Sequence, residues 1–148
     1  MAKKNKEPKF NWHPEIGACT CEIIVDGKKY MGAAICSEED KDMMNERTGQ
    51  QIAHQRAIIN YYKDVKDNQI LPALKALRHL YYTMNQSSQF NPKGYEARML
   101  YRQIRIKKEE LEDLQALIKD TKDSLKNFID KKDAFYKNIR QIRKNKNN

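Results

Sequence analysis

The chain has 148 residues, 39% hydrophobic and 33% charged, with only 5 Gly and 4 Pro, the profile of one helix-rich, charge-rich domain. Its 29 Lys and Arg outnumber 20 Asp and Glu, a net charge of +9 that favours an anionic partner: nucleic acid, nucleotide, phosphate group or membrane surface. No run approaches the roughly 18 apolar residues of a membrane span, and the basic N-terminus lacks the apolar core of a signal peptide, so a cytoplasmic protein with reduced Cys19, Cys21 and Cys36 is expected.

Residues 1–16 read as a flexible basic arm ending in Trp12-His13-Pro14, residues 17–143 as a single α+β domain, and 144–148 as a basic tail. The domain opens with "ACTCEIIVDGKKYMGAAIC", two β-rich runs around Asp26-Gly27. Asp-Gly between such runs is a hairpin signal, because a type I′ turn needs the positive φ that Gly supplies freely. That turn sets Val25 opposite Lys28, Cys21 opposite Gly32 and Cys19 opposite Ala34. Cys19, Cys21, Ile23, Val25, Tyr30, Ala34 and Cys36 then share one face by the two-residue period. Structural zinc wants four ligands in paired knuckles. Here the pattern is Cys-x-Cys and one distant Cys, with His13 as the sole candidate fourth ligand, so metal-free thiols packed as small hydrophobes are expected.

Ser37-Glu38-Glu39-Asp40 has the form of a helix N-cap followed by acids, opening a short helix to about Asn45. A longer helix follows "ERTG" over 50–69, its apolar stripe carried by Ala57, Ile58, Tyr61, Tyr62 and Val65. Arg56 lies off that stripe beside Ile52 and Ile59, as a snorkelling stem or a presented phosphate ligand. His54 sits near the stripe as a core or interface histidine. Pro72, tolerable in a first turn, predicts a break or kink near Asn68 to Ile70. Beyond it Leu71, Leu74, Leu77, Leu80 and Tyr81 form a core stripe.

From Tyr95 onward there is neither Gly nor Pro. Leu111, Leu114, Ile118, Thr121, Leu125, Phe128, Lys132, Phe135, Ile139 and Ile142 alternate by three and four, a heptad seam that calls for a partner helix. The expected fold is therefore α+β: a small N-terminal antiparallel β-hairpin or sheet followed by long α-helices, the last forming a coiled-coil-like dimer seam.

No catalytic constellation emerges. The acids are scattered over helix surfaces, no Gly-rich phosphate loop follows a strand, and no serine occupies a nucleophile elbow. A non-enzymatic protein without metal or cofactor is expected. The stretch "YYTMNQSSQFNPKGYEARMLYRQIR" is the chemically distinctive one. Tyr81 and Tyr82 end a helix, Phe90-Asn91 lies across a loop, and Arg98, Arg102 and Arg105 share one face of the next helix. Aromatic rings stack bases, an Asn amide reads a base edge, and guanidinium forks grip phosphates. The plain alternative is a solvated arginine face with aromatics capping the core.

The stretch "DGKKYMGAAICSEEDKDMMNERTGQQIAHQRAIINYY" resembles a pattern of small phage proteins. It runs Gly32-Ala33-Ala34-Ile35-Cys36-Ser37-Glu38-Glu39-Asp40, then Thr48-Gly49 through Ile52-Ala53 to Arg56-Ala57. Within that set the layout resembles the phage Thoeris anti-defence sponge proteins of the first type, which sequester the cyclic ADP-ribose signal of bacterial TIR-domain enzymes without cleaving it. The resemblance implies a small N-terminal sheet, long dimerising helices and ligand at the dimer edge, in the host cytoplasm. It implies Arg56 as a phosphate ligand, Tyr81 or Tyr82 as the stacking aromatic and Asn91 as the base reader. The family's aromatic is typically Phe, so Phe90 is an alternative stacker. The hairpin's basic residue is Lys28 or Lys29 rather than Arg, a non-bidentate phosphate partner. With Arg98, Arg102 and Arg105 these complete the expected ligand set, in a homodimer or an assembly of dimers with no membrane role. The competing reading is a dimeric nucleic-acid-binding phage accessory protein, whose binding would fall steeply with salt.

Overall fold

The computed structural model describes residues 6–37, 40 and 45–147. Three strands, β1 (Lys6–His13), β2 (Ala18–Val25) and β3 (Lys28–Ile35), precede three helices, α1 (Glu46–Val65), α2 (Leu71–Asn85) and α3 (Tyr95–Lys146). The architecture is α+β, a small antiparallel sheet followed by long helices. The chain forms two compact units, one of Met1–Tyr61 with Asp120–Asn148 and one of Tyr62–Lys119.

In the first unit the hairpin register is the expected one: Val25 pairs with Lys28, Cys21 with Gly32 and Cys19 with Ala34. Asp26 and Gly27 both take positive φ, 50° and 81°, the backbone a two-residue hairpin turn requires. The sheet has a third strand that the sequence reading assigned to a flexible arm. β1 pairs antiparallel with β2, placing Phe10 opposite Cys21 and Trp12 opposite Cys19. A register shift between Lys6 and Lys9 spans Pro8, which has no N–H to donate and belongs on an edge strand or at a bulge. Phe10 and Trp12 recur at the two-residue period and cover the same core as the cysteines.

That core consists of Cys19, Cys21, Ile23, Tyr30 and Ala34 from the sheet with Ala53 and Ala57 from α1. Close approach at Gly32 is what brings α1 down. A Cβ there would meet the Ala53 carbonyl oxygen at 2.1 Å and the Ala57 nitrogen at 2.4 Å. Glycine on the strand and alanines four apart on the helix leave the two backbones in contact.

α1 begins at Glu46, earlier than the 50–69 expected, because Asn45 caps it: its Oδ1 accepts the Thr48 amide at 2.7 Å. Asparagine at this position satisfies one of the orphan amides of a first turn, so Thr48-Gly49 lies inside the helix rather than before it. The short helix expected from Ser37 to about Asn45 lies for its larger part outside the described residues.

The expected break before Pro72 is a π-helical turn over Lys66–Ile70. The Leu71 amide bonds the Lys66 carbonyl, an i to i+5 step that lets the chain remain helical where Pro72 supplies no donor. In α2 only Leu74 of the predicted stripe is fully buried, while Leu71 and Leu80 are exposed.

α3 is one helix of 52 residues, and it carries the expected basic tail as far as Lys146. Its stripe is covered within a single chain over much of its length: Ile118 and Leu125 are buried, and Leu111, Leu114, Thr121, Phe128 and Lys132 half-buried. Beyond Lys132 only Ile139 of the heptad positions is half-buried. Tyr136 is buried, whereas the seam positions Phe135 and Ile142 are 57% and 49% exposed. A straight helix turns 3.6 residues per turn, so its buried face drifts off a 3.5-residue repeat.

Candidate functional site

In the second unit, α2 ends in aromatics and the chain reverses through a tight loop before α3. Asn91-Pro92-Lys93-Gly94 forms a reverse turn closed by the Gly94 amide on the Asn91 carbonyl at 2.9 Å. Its residues suit the turn: Asn first, Pro second, Gly fourth. The Asn91 side chain is part of this turn, its Oδ1 accepting the Lys93 amide at 3.0 Å. The Gly94 carbonyl then accepts the Arg98 amide at 3.1 Å and starts α3.

Ala97 and Leu100 face the interior of this unit. The next positions round the helix, Arg98, Tyr101, Arg102 and Arg105, therefore stand together on an open face at i, i+3, i+4 and i+7. With Tyr81, Pro92 and Ala97 they line a cleft of about 380 Å³. Tyr81 lies at the centre of an aromatic chain, its ring 5.9 Å from Phe90 and 5.6 Å from Tyr101, both edge-to-face. Tyr81 is half-buried, while Tyr101 is 64% exposed.

Electrostatics make this face unusual. Among the described residues, no ion pair or hydrogen bond joins Arg98, Arg102 or Arg105 side chains to an acid. Like charges three and four apart on one helix repel by some tenths of a kcal/mol per pair. Three uncompensated guanidinium groups are thus held beside an aromatic surface at a small net cost to the fold.

Of the expected ligand residues, the cleft lining takes in Tyr81, Arg98, Arg102 and Arg105. Phe90 and Asn91 line a separate concavity with Gln89, Gly94, Tyr95 and Glu96, and Asn91 acts in the loop's own turn. Tyr82 is 63% exposed and is not among the residues lining the arginine cleft. Tyr101 was missed by the sequence reading, although its position three after Arg98 and four before Arg105 is the signal that finds it.

Lys28 and Arg56 belong to the first unit. The Lys28 ammonium lies 5.8 Å from the centre of the Tyr30 ring, within cation–π range. The Arg56 guanidinium is neither a plain snorkelling stem nor a free fork: Nη1 donates to the Ala33 carbonyl at 2.8 Å. One turn on, Asn60 Nδ2 donates to the Met31 carbonyl at 2.7 Å. Both acceptors lie on the side of β3 that faces away from β2, so these side chains occupy hydrogen-bonding positions of an edge strand.

Arg56 also borders a second cleft of about 280 Å³, shared with Cys36, Thr48, Lys132, Asp133 and Tyr136. Burial raises the Tyr136 hydroxyl's pKa, and Cys36, Asp40 and Asp133 add to the effect. Thr48 acts in the opposite sense, yet the hydroxyl has no hydrogen-bond partner of ordinary geometry among the described residues. Asp40, also in this unit, accepts from Ser37 Oγ at 3.0 Å and pairs with Arg140.

Cys19 and Cys21 are buried in the core, and no group of metal-ligating side chains assembles among the described residues. No described helix is long and apolar enough to cross a membrane. No known protein family, no curated protein and no solved structure matches the chain.

Proposed function

We propose that this protein is a non-enzymatic sponge: it binds and sequesters a cyclic ADP-ribose-type signalling nucleotide in the host cytoplasm, as the phage anti-defence proteins it resembles do. The observation that carries the reading is the arginine cleft. Three guanidinium groups without acidic partners among the described residues share one face of α3 with the Tyr101 ring, and Tyr81 of α2 lines the same cleft. Guanidinium forks hold phosphate oxygens in pairs, aromatic faces hold a base, and a ligand supplying both neutralises the repulsion built into α3. The +9 charge of the chain adds long-range attraction for such an anion. The protein acts as a homodimer joined along α3.

The test is retention and release. The purified protein is incubated with the nucleotide product of a TIR-domain enzyme, filtered, then heat-denatured. Depletion of the signal from the filtrate and its intact return on denaturation are expected. A chemically altered product would make the protein an enzyme, and an undepleted filtrate would end the reading. A duplex DNA control separates the nucleic-acid alternative, which predicts DNA binding that falls steeply with salt.

A further inference from the structure

Resting on the reading of the arginine cleft as a nucleotide site, we infer that Tyr101 is the base-stacking platform and that the element recognised is a base joined to a diphosphate. The cleft therefore takes nucleoside diphosphates, cyclised or not.

The platform follows from placement. Tyr82, Tyr95 and Tyr101 are all well exposed, so exposure does not single one out. Among these three only Tyr101 lines the cleft with the arginines. Arg98 lies three residues before it and Arg105 four after, both on its own side of the helix, with Arg102 between them. By the helical rise, Arg98 and Arg105 are about 4.5 Å and about 6 Å from Tyr101 along the axis. A base resting on Tyr101 thus has guanidinium groups on both flanks.

Tyr81 has a different part. Its ring is wedged edge-to-face between Phe90 and Tyr101 and is itself half-buried. It steadies the Tyr101 ring rather than offering a broad face of its own. The aromatic chain Phe90–Tyr81–Tyr101 is then a brace that ends in one open platform, and the reverse turn at Asn91 holds Phe90 at its inner end.

Charge sets the length of the anion. A terminal phosphate carries roughly −1.5 to −2 at neutral pH, which leaves about one of the three guanidinium charges uncompensated. A terminal diphosphate, at about −3, comes close to balancing all three, while a cyclised one, esterified at both ends and at about −2, is matched by its two neighbouring phosphate groups rather than by its total charge. The pair Arg102 and Arg105, one turn apart, matches two neighbouring phosphate groups, each gripped as a bidentate fork.

Calorimetric titration of the full chain with ADP, AMP, adenosine and inorganic pyrophosphate tests this directly. ADP should bind at least roughly ten-fold more tightly than AMP, pyrophosphate measurably, and adenosine weakest. Tyr101→Leu should weaken ADP by roughly ten-fold or more, the lower to middle range for one lost stack, and leave pyrophosphate affinity unchanged. Tyr101→Phe should keep ADP affinity, since stacking needs the ring and not the hydroxyl. Since Tyr101 is exposed, circular dichroism and melting of both variants should match the parent protein. Equal ADP binding by the parent and Tyr101→Leu would remove the platform, and AMP binding as tightly as ADP would remove the diphosphate preference. In either case pyrophosphate binding would leave the arginine cleft standing. Absence of both pyrophosphate and ADP binding would sink the cleft reading together with this inference.

Discussion

At the scale of single residues, the packing of α1 on the sheet turns on one missing side chain. A Cβ at Gly32 would press on the backbone of α1 at 2.1 and 2.4 Å, and backbone cannot rotate away as a side-chain tip can. Gly32→Ala should therefore cost about 3 kcal/mol or more, the upper range for overpacking, read as a shift in the urea midpoint. A loss under about 1 kcal/mol would mean that α1 yields easily. Opposite Gly32 lies Cys21, whose thiol pKa is pushed up to about 11, chiefly by burial, with Cys19 and Glu22 adding to the rise. The folded state holds that proton while the unfolded thiol gives it up from about pH 9. Between those values the unfolded chain binds fewer protons, so stability present in full below pH 9 declines as pH rises toward 11. In Cys21→Ala the decline over this window should be shallower than in the parent protein. Parallel curves would show that another group governs the alkaline loss.

At the scale of elements, Arg56 and Asn60 have a structural employment that their sequence does not announce. Four residues of α-helix rise about 6 Å and two residues of strand about 6.7 Å. Side chains at i and i+4 of α1 can thus meet alternate carbonyls of β3, as the bonds to Ala33 and Met31 demonstrate. Exposed strand edges recruit other strands, and here two edge acceptors are already occupied. The double change Arg56→Ala with Asn60→Ala should lower apo stability by about 2 kcal/mol, the net scale of two such bonds. It should also raise self-association, detectable as concentration-dependent light scattering. Unchanged scattering together with unchanged stability would reduce the two bonds to surface decoration.

At the scale of the whole molecule, α3 offers two different apolar records. The seam positions from Leu111 to Lys132 are half-buried or buried in one chain. Phe135 and Ile142 remain open at 57% and 49%, and these two are the positions from which the proposed homodimer draws its stabilisation. Sedimentation should therefore find a dimer at micromolar concentration, and Phe135→Asp with Ile142→Asp should yield a folded monomer of unchanged helicity. A parent protein that sediments as a monomer would exclude α3 pairing through these residues.

Local pattern in the sequence was enough for whatever depends on neighbours a few residues apart. Asp26-Gly27 dictates the hairpin and its register because the turn chemistry and the two-residue period admit one pairing. The three-and-four spacing dictates a long final helix, and Arg98, Arg102 and Arg105 must share a face once that helix forms. Nothing local told the arm at Phe10 and Trp12 that it would find β2. Nothing local chose between snorkelling and phosphate for Arg56, whose partner is the carbonyl of Ala33, 23 positions away. Asn91-Pro92-Lys93-Gly94 carries its reverse turn in its own residue types, but only the fold could bring Tyr101 to Tyr81 and cover Ile118 while leaving Phe135 open. Those outcomes depend on which distant surfaces meet, and a residue's own periodicity carries no record of the surface it will face.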